Sequence, residues 1–374
     1  MPPLPQRPEE VASILDWFAR MRRDHPVALD ERSGAPWWQV FRYEDVARVL
    51  TDYACFSSGV PDLERGPLSD TMLVRDPPDH RKLRGLVNLA FTPRAVARLS
   101  GRIAEMTQQL LDRVRANGEM DVVRDLAVPL PTQVICEMLG VPEFDWEEVR
   151  SWTRSDAPVG LGPMRGYFRD LLEERRRSPR QDLVTALSTA EIDGERLSER
   201  ELINSCILLL IAGTDTTKNL IANFFLTLSD HRDDHARLTR EPALIPTAIE
   251  EVVRFLPPVW YLMRRATVEV ELGGVRIPAG HLVKPWTASA NRDSMQFPHP
   301  DRFDVAREPN RHLGFGHGVH FCIGSPLTRL EAGVALPMLL EQLKDLRVTR
   351  ETPIGIAAGA VFAVTNLPVT FRPF

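Results

Sequence analysis

One cysteine, Cys322, closes a glycine-punctuated run, Phe315-Gly316-His317-Gly318-Val319-His320-Phe321-Cys322-Ile323-Gly324. Behind it Leu327, Leu330, Val334 and Met338 recur at helical spacing, which predicts a helix over 326–343. The sulfur therefore sits near a helix N-terminus, where free N–H groups and the dipole favour an anion. A thiol placed there is expected to have a lowered pKa and to serve as ligand or nucleophile. Gly316, Gly318 and Gly324 let the backbone lie close to something flat or bulky. N–H groups beside the sulfur can then tune a metal–thiolate bond. Two plainer readings compete. A lone cysteine is often a buried structural residue, and His312, His317, His320 and Cys322 together could hold zinc. Zinc sites, however, draw ligand pairs from two places, and the other histidine pair, His231 and His235, lies in a charged stretch.

A second constellation interrupts a long helix predicted over 198–228. Ser198 and Glu201 form a capping-box pattern ahead of the apolar run 207–211. Ala212-Gly213-Thr214-Asp215-Thr216-Thr217 follows, with residues of low helix propensity in an apolar setting. Buried polar groups need partners, and a threonine hydroxyl can bond the carbonyl four residues back and bend the helix. Taken alone, this cluster reads equally well as a harmless kink or as a site. Two charged pairs also stand at helical spacing: Glu251 with Arg254, and His80 with Arg84. Alone, each is an ordinary solvated surface feature.

Taken together these segments resemble the cytochrome P450 monooxygenases. The family's haem-binding loop is Phe-Gly-x-Gly-x-His-x-Cys-x-Gly, and every fixed position matches Phe315 to Gly324. The resemblance implies haem b, with Cys322 as axial thiolate to the iron and with Phe315, Gly316, Gly324 and Ala212 lining the porphyrin. It implies that His320, His80, Arg84 and Arg264 meet the propionates, although Arg265 beside Arg264 leaves that choice open. Ala212 to Thr216 match the family's Ala/Gly-Gly-x-Asp/Glu-Thr, where the helix opens locally. Thr216 would then donate a hydrogen bond to the oxygen being reduced, and Asp215 would relay protons. Glu251 and Arg254 match Glu-x-x-Arg, and Pro300-Asp301-Arg302-Phe303 would supply a third structural arginine, Arg302. From position alone, Met72, Leu73, Leu208, Ile211, Val259, Trp260, Val361 and Phe362 are expected to line the substrate pocket.

The resemblance further implies insertion of one atom of O2 into a small organic, secondary-metabolite-like substrate. Electrons would come from NAD(P)H through a reductase and a ferredoxin or flavodoxin, since no flavin or nicotinamide fingerprint is present. Two rivals keep the haem: a peroxide-driven peroxygenase, which usually lacks the acid–alcohol pair, and a non-catalytic haem sensor.

The elements that must position these residues read as mostly helical. Helices are expected over 11–21, 43–50, 79–89, 93–116, 131–139 and 164–177. Short strands are expected at 26–29 and 37–41 around Ser33-Gly34, at 268–277 and over 346–371. The stretches 55–74 and 156–166 read as irregular lids. The expected fold is mainly α with small peripheral β-sheets, a cytochrome P450 fold forming one haem-binding domain over 1–374. The composition is that of an ordinary globular protein at 43% hydrophobic and 26% charged. A net charge of −5 offers no broad basic field for nucleic acid. Four scattered cysteines, no signal-peptide pattern and no apolar stretch of about 18 residues predict a cytoplasmic protein without a membrane span.

Overall fold

The computed structural model describes residues 4–31, 36–66, 68–152, 161–349 and 351–373. Ser33-Gly34 and much of the 156–166 lid lie outside the described residues. The first half carries α1 (Val11–Asp24), α2 (Tyr43–Thr51), α3 (Pro61–Glu64), α4 (Asp79–Ala90), α5 (Pro93–Ala97), α6 (Ser100–Asp112), α7 (Pro129–Leu139) and α8 (Trp146–Trp152). The second half carries α9 (Leu161–Arg177), α10 (Leu183–Thr189), α11 (Glu199–Asp230), α12 (Arg232–Arg240), α13 (Ile245–Phe255), α14 (Thr287–Ala290) and α15 (Ser325–Gln342). The single helix expected over 93–116 is two, α5 and α6. Leu99 N–H closes a tight turn on Val96 O and the axis restarts at Ser100. The helix expected from Met164 already begins at Leu161, so Gly162, Pro163 and Gly166 are helical. Pro163 falls in the first turn, where its missing N–H is harmless.

Strands are short and peripheral. β1 (Val27–Asp30), β2 (Trp37–Val40), β3 (Phe56–Ser57), β5 (Arg264–Ala266) and β8 (Leu282–Pro285) form one sheet in the order β1-β2-β8-β5-β3. Only the β2–β8 pairing is parallel. β4 (Glu119–Asp121), β9 (Arg347–Val348) and β12 (Pro368–Thr370) form a second sheet, while β6 (Val270–Leu272) with β7 (Val275–Ile277) and β10 (Gly355–Ala358) with β11 (Phe362–Asn366) form hairpins. The β6–β7 turn is Gly273-Gly274, at φ +56° and +78°.

α11 is the axis of the main core. Its 32 residues span about 48 Å at 1.5 Å per residue. Ser198 Oγ and the Glu201 carboxylate complete the capping box at its start. Apolar residues on nearly every side, from Leu202 to Leu228, are buried, as a helix through the middle of a core requires. Gly213 faces Ile135 of α7, and a Cβ there would stand 3.3 Å from the isoleucine, so its smallness serves helix packing. Among the described residues no helix is long and apolar enough to cross a membrane.

Candidate active site

The cysteine run lies between α14 and α15 as an irregular loop with a single 3-10 turn at Gly318–His320. Two bonds shape it: Gly316 N–H donates to Leu313 O at 2.9 Å, and Cys322 N–H to Phe315 O at 2.8 Å. Gly316 sits at φ +73° and Gly318 at φ +70°, the left-handed region that favours glycine. Gly318 is also pressed against Leu50 O and Thr51 of α2, 3.0 Å from where a Cβ would stand. This close approach is to protein backbone rather than to a flat ligand.

The N–H groups of Gly324 and Ser325 point at the Cys322 sulfur, as the helix start predicts. The expected lowering of its pKa is not found. Burial dominates and raises the thiol above its ordinary value, against the pull of those donors and of Arg84 and Arg329. A half-buried cysteine whose sulfur has two fixed donors and two nearby guanidiniums suits a thiolate stabilised by a bound cation, which deprotonates a coordinating thiol.

Across from it, Thr216 faces the same cavity. A cavity of about 150 Å³ is lined by Thr216, Leu220, Val259 and Thr328 together with Phe315, Gly316, His320 and Cys322. α11 is continuously helical here. The Thr216 hydroxyl donates back to Ala212 O at 2.9 Å, and the Thr214 hydroxyl to Leu210 O at 2.9 Å. Ala212 is exposed toward open space. Asp215 is ion-paired to Lys218 one turn on, at 2.8 Å. Lys218 was missed at the sequence level, although its i, i+3 spacing was legible.

The polar rim tests the fit to a porphyrin. His80 is 1% exposed, and neither ring nitrogen has a hydrogen-bond partner among the described residues. Burial, then the nearby His320 and Arg84, lower its pKa to about 4. Arg264 is buried, and its guanidinium bonds only Met263 O among the described residues, at 2.8 Å. Burial lowers its pKa to about 10 despite Asp76. A buried arginine and a buried histidine with unused donors fit the anionic edge of haem, since buried charge demands a partner. Arg265 instead points across the strand and donates to Gly59 O at 2.8 Å.

Other expected clamps are already engaged. Arg84 donates to Val319 O at 3.1 Å and Phe321 O at 2.6 Å, holding the cysteine loop. His320 meets Ser58 Oγ at 2.9 Å and lies 3.9 Å from Asp76. Burial alone would raise Asp76, but bonds from His320, Ser57 and the Ser58 N–H outweigh it and bring Asp76 to about 2.

Below the loop, Glu251 and Arg254 of α13 are fully buried and joined by two bonds of 2.7 and 2.8 Å. The third arginine is Arg307, not Arg302. Arg307 Nε lies 3.1 Å from both Glu251 oxygens, and Asp304 N–H and Asn310 add further donors. The Arg302 side chain is exposed, and only its carbonyl takes part, accepting from Arg254 and Arg307. Neighbouring Glu250 is held near 2: burial opposes ionisation, but Arg329 and His312 bonds prevail. His312 is thus committed to a carboxylate, and among the described residues no group of three or more His, Cys, Asp or Glu could hold a metal.

The substrate-pocket expectations divide by strand parity. Val259 and Val361 pair across an isolated bridge and keep open surface. Their neighbours Trp260 and Phe362 point the other way, 1% and 0% exposed, stacked at 4.9 Å in the core beside Phe18. Successive side chains on extended backbone face opposite sides, so Trp260 and Phe362 are core and not pocket. Leu73 and Ile211 keep open surface, whereas Met72 and Leu208 are buried.

One buried group escaped the sequence reading. Thr217 and Thr328 hydroxyls meet at 3.1 Å between α11 and α15, and one turn further Glu331 is buried with one oxygen unpartnered. Burial raises its pKa well above the ordinary 4.5. Above about pH 4.5 the unfolded chain therefore binds fewer protons than the folded one, and stability falls as pH rises. Glu331→Gln is expected to remove that decline and to raise stability more at pH 8 than at pH 5. Denaturant midpoints at the two pH values check it, and a parallel pH dependence in both proteins would refute it.

A thiol, Cys322, and a hydroxyl, Thr216, thus line one cavity. The cytochrome P450 sequence profile matches residues 164–365. The putative cytochrome P450 YjiB of Bacillus subtilis is 39% identical, over 90% of this chain and 89% of its own. The erythromycin C-12 hydroxylase of Saccharopolyspora erythraea is 39% identical, over 93% and 91%. The structure of cytochrome P450 CYP109Q5 from Chondromyces apiculatus superposes with a TM-score of 0.91 at 38% identity, covering 98% of this chain and 97% of that one. The chain belongs to the cytochrome P450 family. It is a haem b monooxygenase, placing one atom of O2 in an organic substrate and releasing the other as water.

Proposed function

We propose that Cys322 would hold the haem through its sulfur, that His80 and Arg264 would take the propionates, and that Thr216 with Asp215 would deliver protons within the cavity. The observation that carries this reading is that Thr216 and Cys322, from distant segments of the chain, line one cavity. The haem, when bound, supplies the site at which O2 is reduced and substrate is oxidised. Thr216 has a hydroxyl free to turn from Ala212 O toward the cavity. Asp215, partly exposed and paired with Lys218, connects that hydroxyl to solvent. Two protons must arrive for one oxygen to leave as water, and positioned donors perform that task. Phe315, Gly316, Gly324 and Ala212 line the ring, and Arg84 and His320 hold the loop from which Cys322 projects.

We infer an apolar substrate of secondary-metabolite or steroid-like size. Val259, Leu220, Leu262 and Pro258 offer hydrophobic walls with few polar groups. The hydroxylase and epoxidase relatives, which include a cyclomarin C epoxidase and a vitamin D(3) 25-hydroxylase, support this class. A ferredoxin or flavodoxin with its NAD(P)H reductase would supply electrons. Free thiols at Cys55, Cys136, Cys206 and Cys322 fit a reducing cytoplasm. The whole chain would work as one haem-binding domain.

Thr216→Ala is the test of the proton reading. Haem loading and substrate-induced spectral shifts are expected to stay as in wild type, while product formed per NAD(P)H falls about tenfold or more and peroxide accumulates. Unchanged coupling, measured with surrogate redox partners, would remove Thr216 from the relay.

A further inference from the structure

Below Thr216 the same face of α11 carries Asn219, Asn223 and Thr227, and then His231 at the helix end, at steps of three or four residues. Such spacing aligns them in one stripe along the helix. Asn219 and Asn223 are 0% exposed and Thr227 is 5% exposed. Both amide atoms of Asn219, the Asn223 Oδ1 and the Thr227 hydroxyl have no partner among the described residues. The Asn223 amide nitrogen donates to Leu256 O at 2.9 Å. His231 Nδ1 donates to Thr227 O at 2.8 Å. His231, Asp230 and Asp234 line an open cleft of about 1260 Å³. At its other end the stripe meets the cavity through Thr216 and Leu220.

Four unpaired polar atoms in an otherwise apolar core call for partners, and ordered water is the usual partner of such groups. The spacing suits it. Four residues of helix rise about 6 Å, the reach of one water bridging two hydrogen bonds of about 2.9 Å. We propose that this face of α11 holds a file of waters joining the Thr216 wall to the His231 cleft, a second proton entry distinct from the Asp215–Lys218 pair. Asn219, Asn223 and Thr227 are positioning residues: they hold the waters, and each water passes one proton inward as it accepts one from its outer neighbour. The proposal rests on the reading of Thr216 as the point where protons are used, but the waters can be tested without it.

A high-resolution crystal structure of the haem-loaded enzyme should show ordered waters within hydrogen-bond distance of Asn219, Asn223 and Thr227; a dry stripe overturns the proposal and leaves the Thr216 reading untouched. Thr227→Val keeps side-chain shape and removes the unpaired hydroxyl. At saturating redox partner it is expected to lower product formation about threefold and to raise the solvent deuterium isotope effect. The loss should be larger in an Asp215→Asn background, with the reduced carbon monoxide spectrum unchanged. Rescue by Thr227→Ser marks the hydroxyl rather than packing as the cause. Wild-type rates and isotope effects in Thr227→Val, alone and in the Asp215→Asn background, overturn the role in proton entry.

Discussion

Cys322→Ser is expected to yield folded protein whose reduced carbon monoxide complex lacks the thiolate-type absorption, with monooxygenase turnover reduced to background. The Cys322 sulfur accepts from the Gly324 and Ser325 N–H groups, and the Cys322 backbone N–H donates to Phe315 O. A serine keeps those backbone bonds, so the loop survives, but its oxygen does not supply the electron push that a thiolate gives. Difference spectroscopy of the reduced protein with and without carbon monoxide decides it. Persistence of the thiolate-type band would mean that another group ligates the iron.

The second large effect concerns the buried charge cluster. Glu251→Ala is expected to cost about 3–5 kcal/mol, because removing the carboxylate strands two arginines in a dry interior. Arg254 and Arg307 both rely on it, at side-chain exposures of 0% and 9%. Against a total stability of about 5–15 kcal/mol, that is enough to leave little haem-loaded protein at 37 °C. The same logic separates two arginines that look equivalent in sequence. Arg307→Ala should approach the Glu251→Ala effect, since it takes three of its contacts from the loop at 298–302 as well. Arg302→Ala should fall within about 0.5 kcal/mol of wild type, since an exposed side chain is lost and its carbonyl stays. Urea midpoints with haem retention as a second readout check all three. A severe Arg302→Ala and a mild Arg307→Ala would reverse the assignment.

Local signals in the sequence were sufficient for much of this. The long helix was legible from its capping box and apolar run. The same holds for the helix behind Cys322, from four apolar residues at helical spacing, and for the β6–β7 hairpin from its glycine pair. The break at Leu99 was not, because the apolar spacing continues across it and only a backbone bond marks the turn. Within the site, His80 and Arg84 shared a legible helix face, yet one is buried without partners and the other holds loop carbonyls. Spacing gave their proximity but not their direction.

What the chain determined unaided is therefore the set of groups tied to neighbouring residues: the cysteine in its glycine loop, the threonine–aspartate interruption, the Glu251–Arg254 pair, the helices. Helix and turn geometry couples residues a few positions apart, and that coupling is written in their order. Tertiary structure alone decided which arginine reaches Glu251, that burial holds the free Cys322 thiol up, and which side of the 259–260 and 361–362 segments faces the cavity. Those outcomes depend on desolvation and on contacts between segments about fifty or a hundred residues apart, and no local pattern records how much water remains around a group once the chain has closed over it.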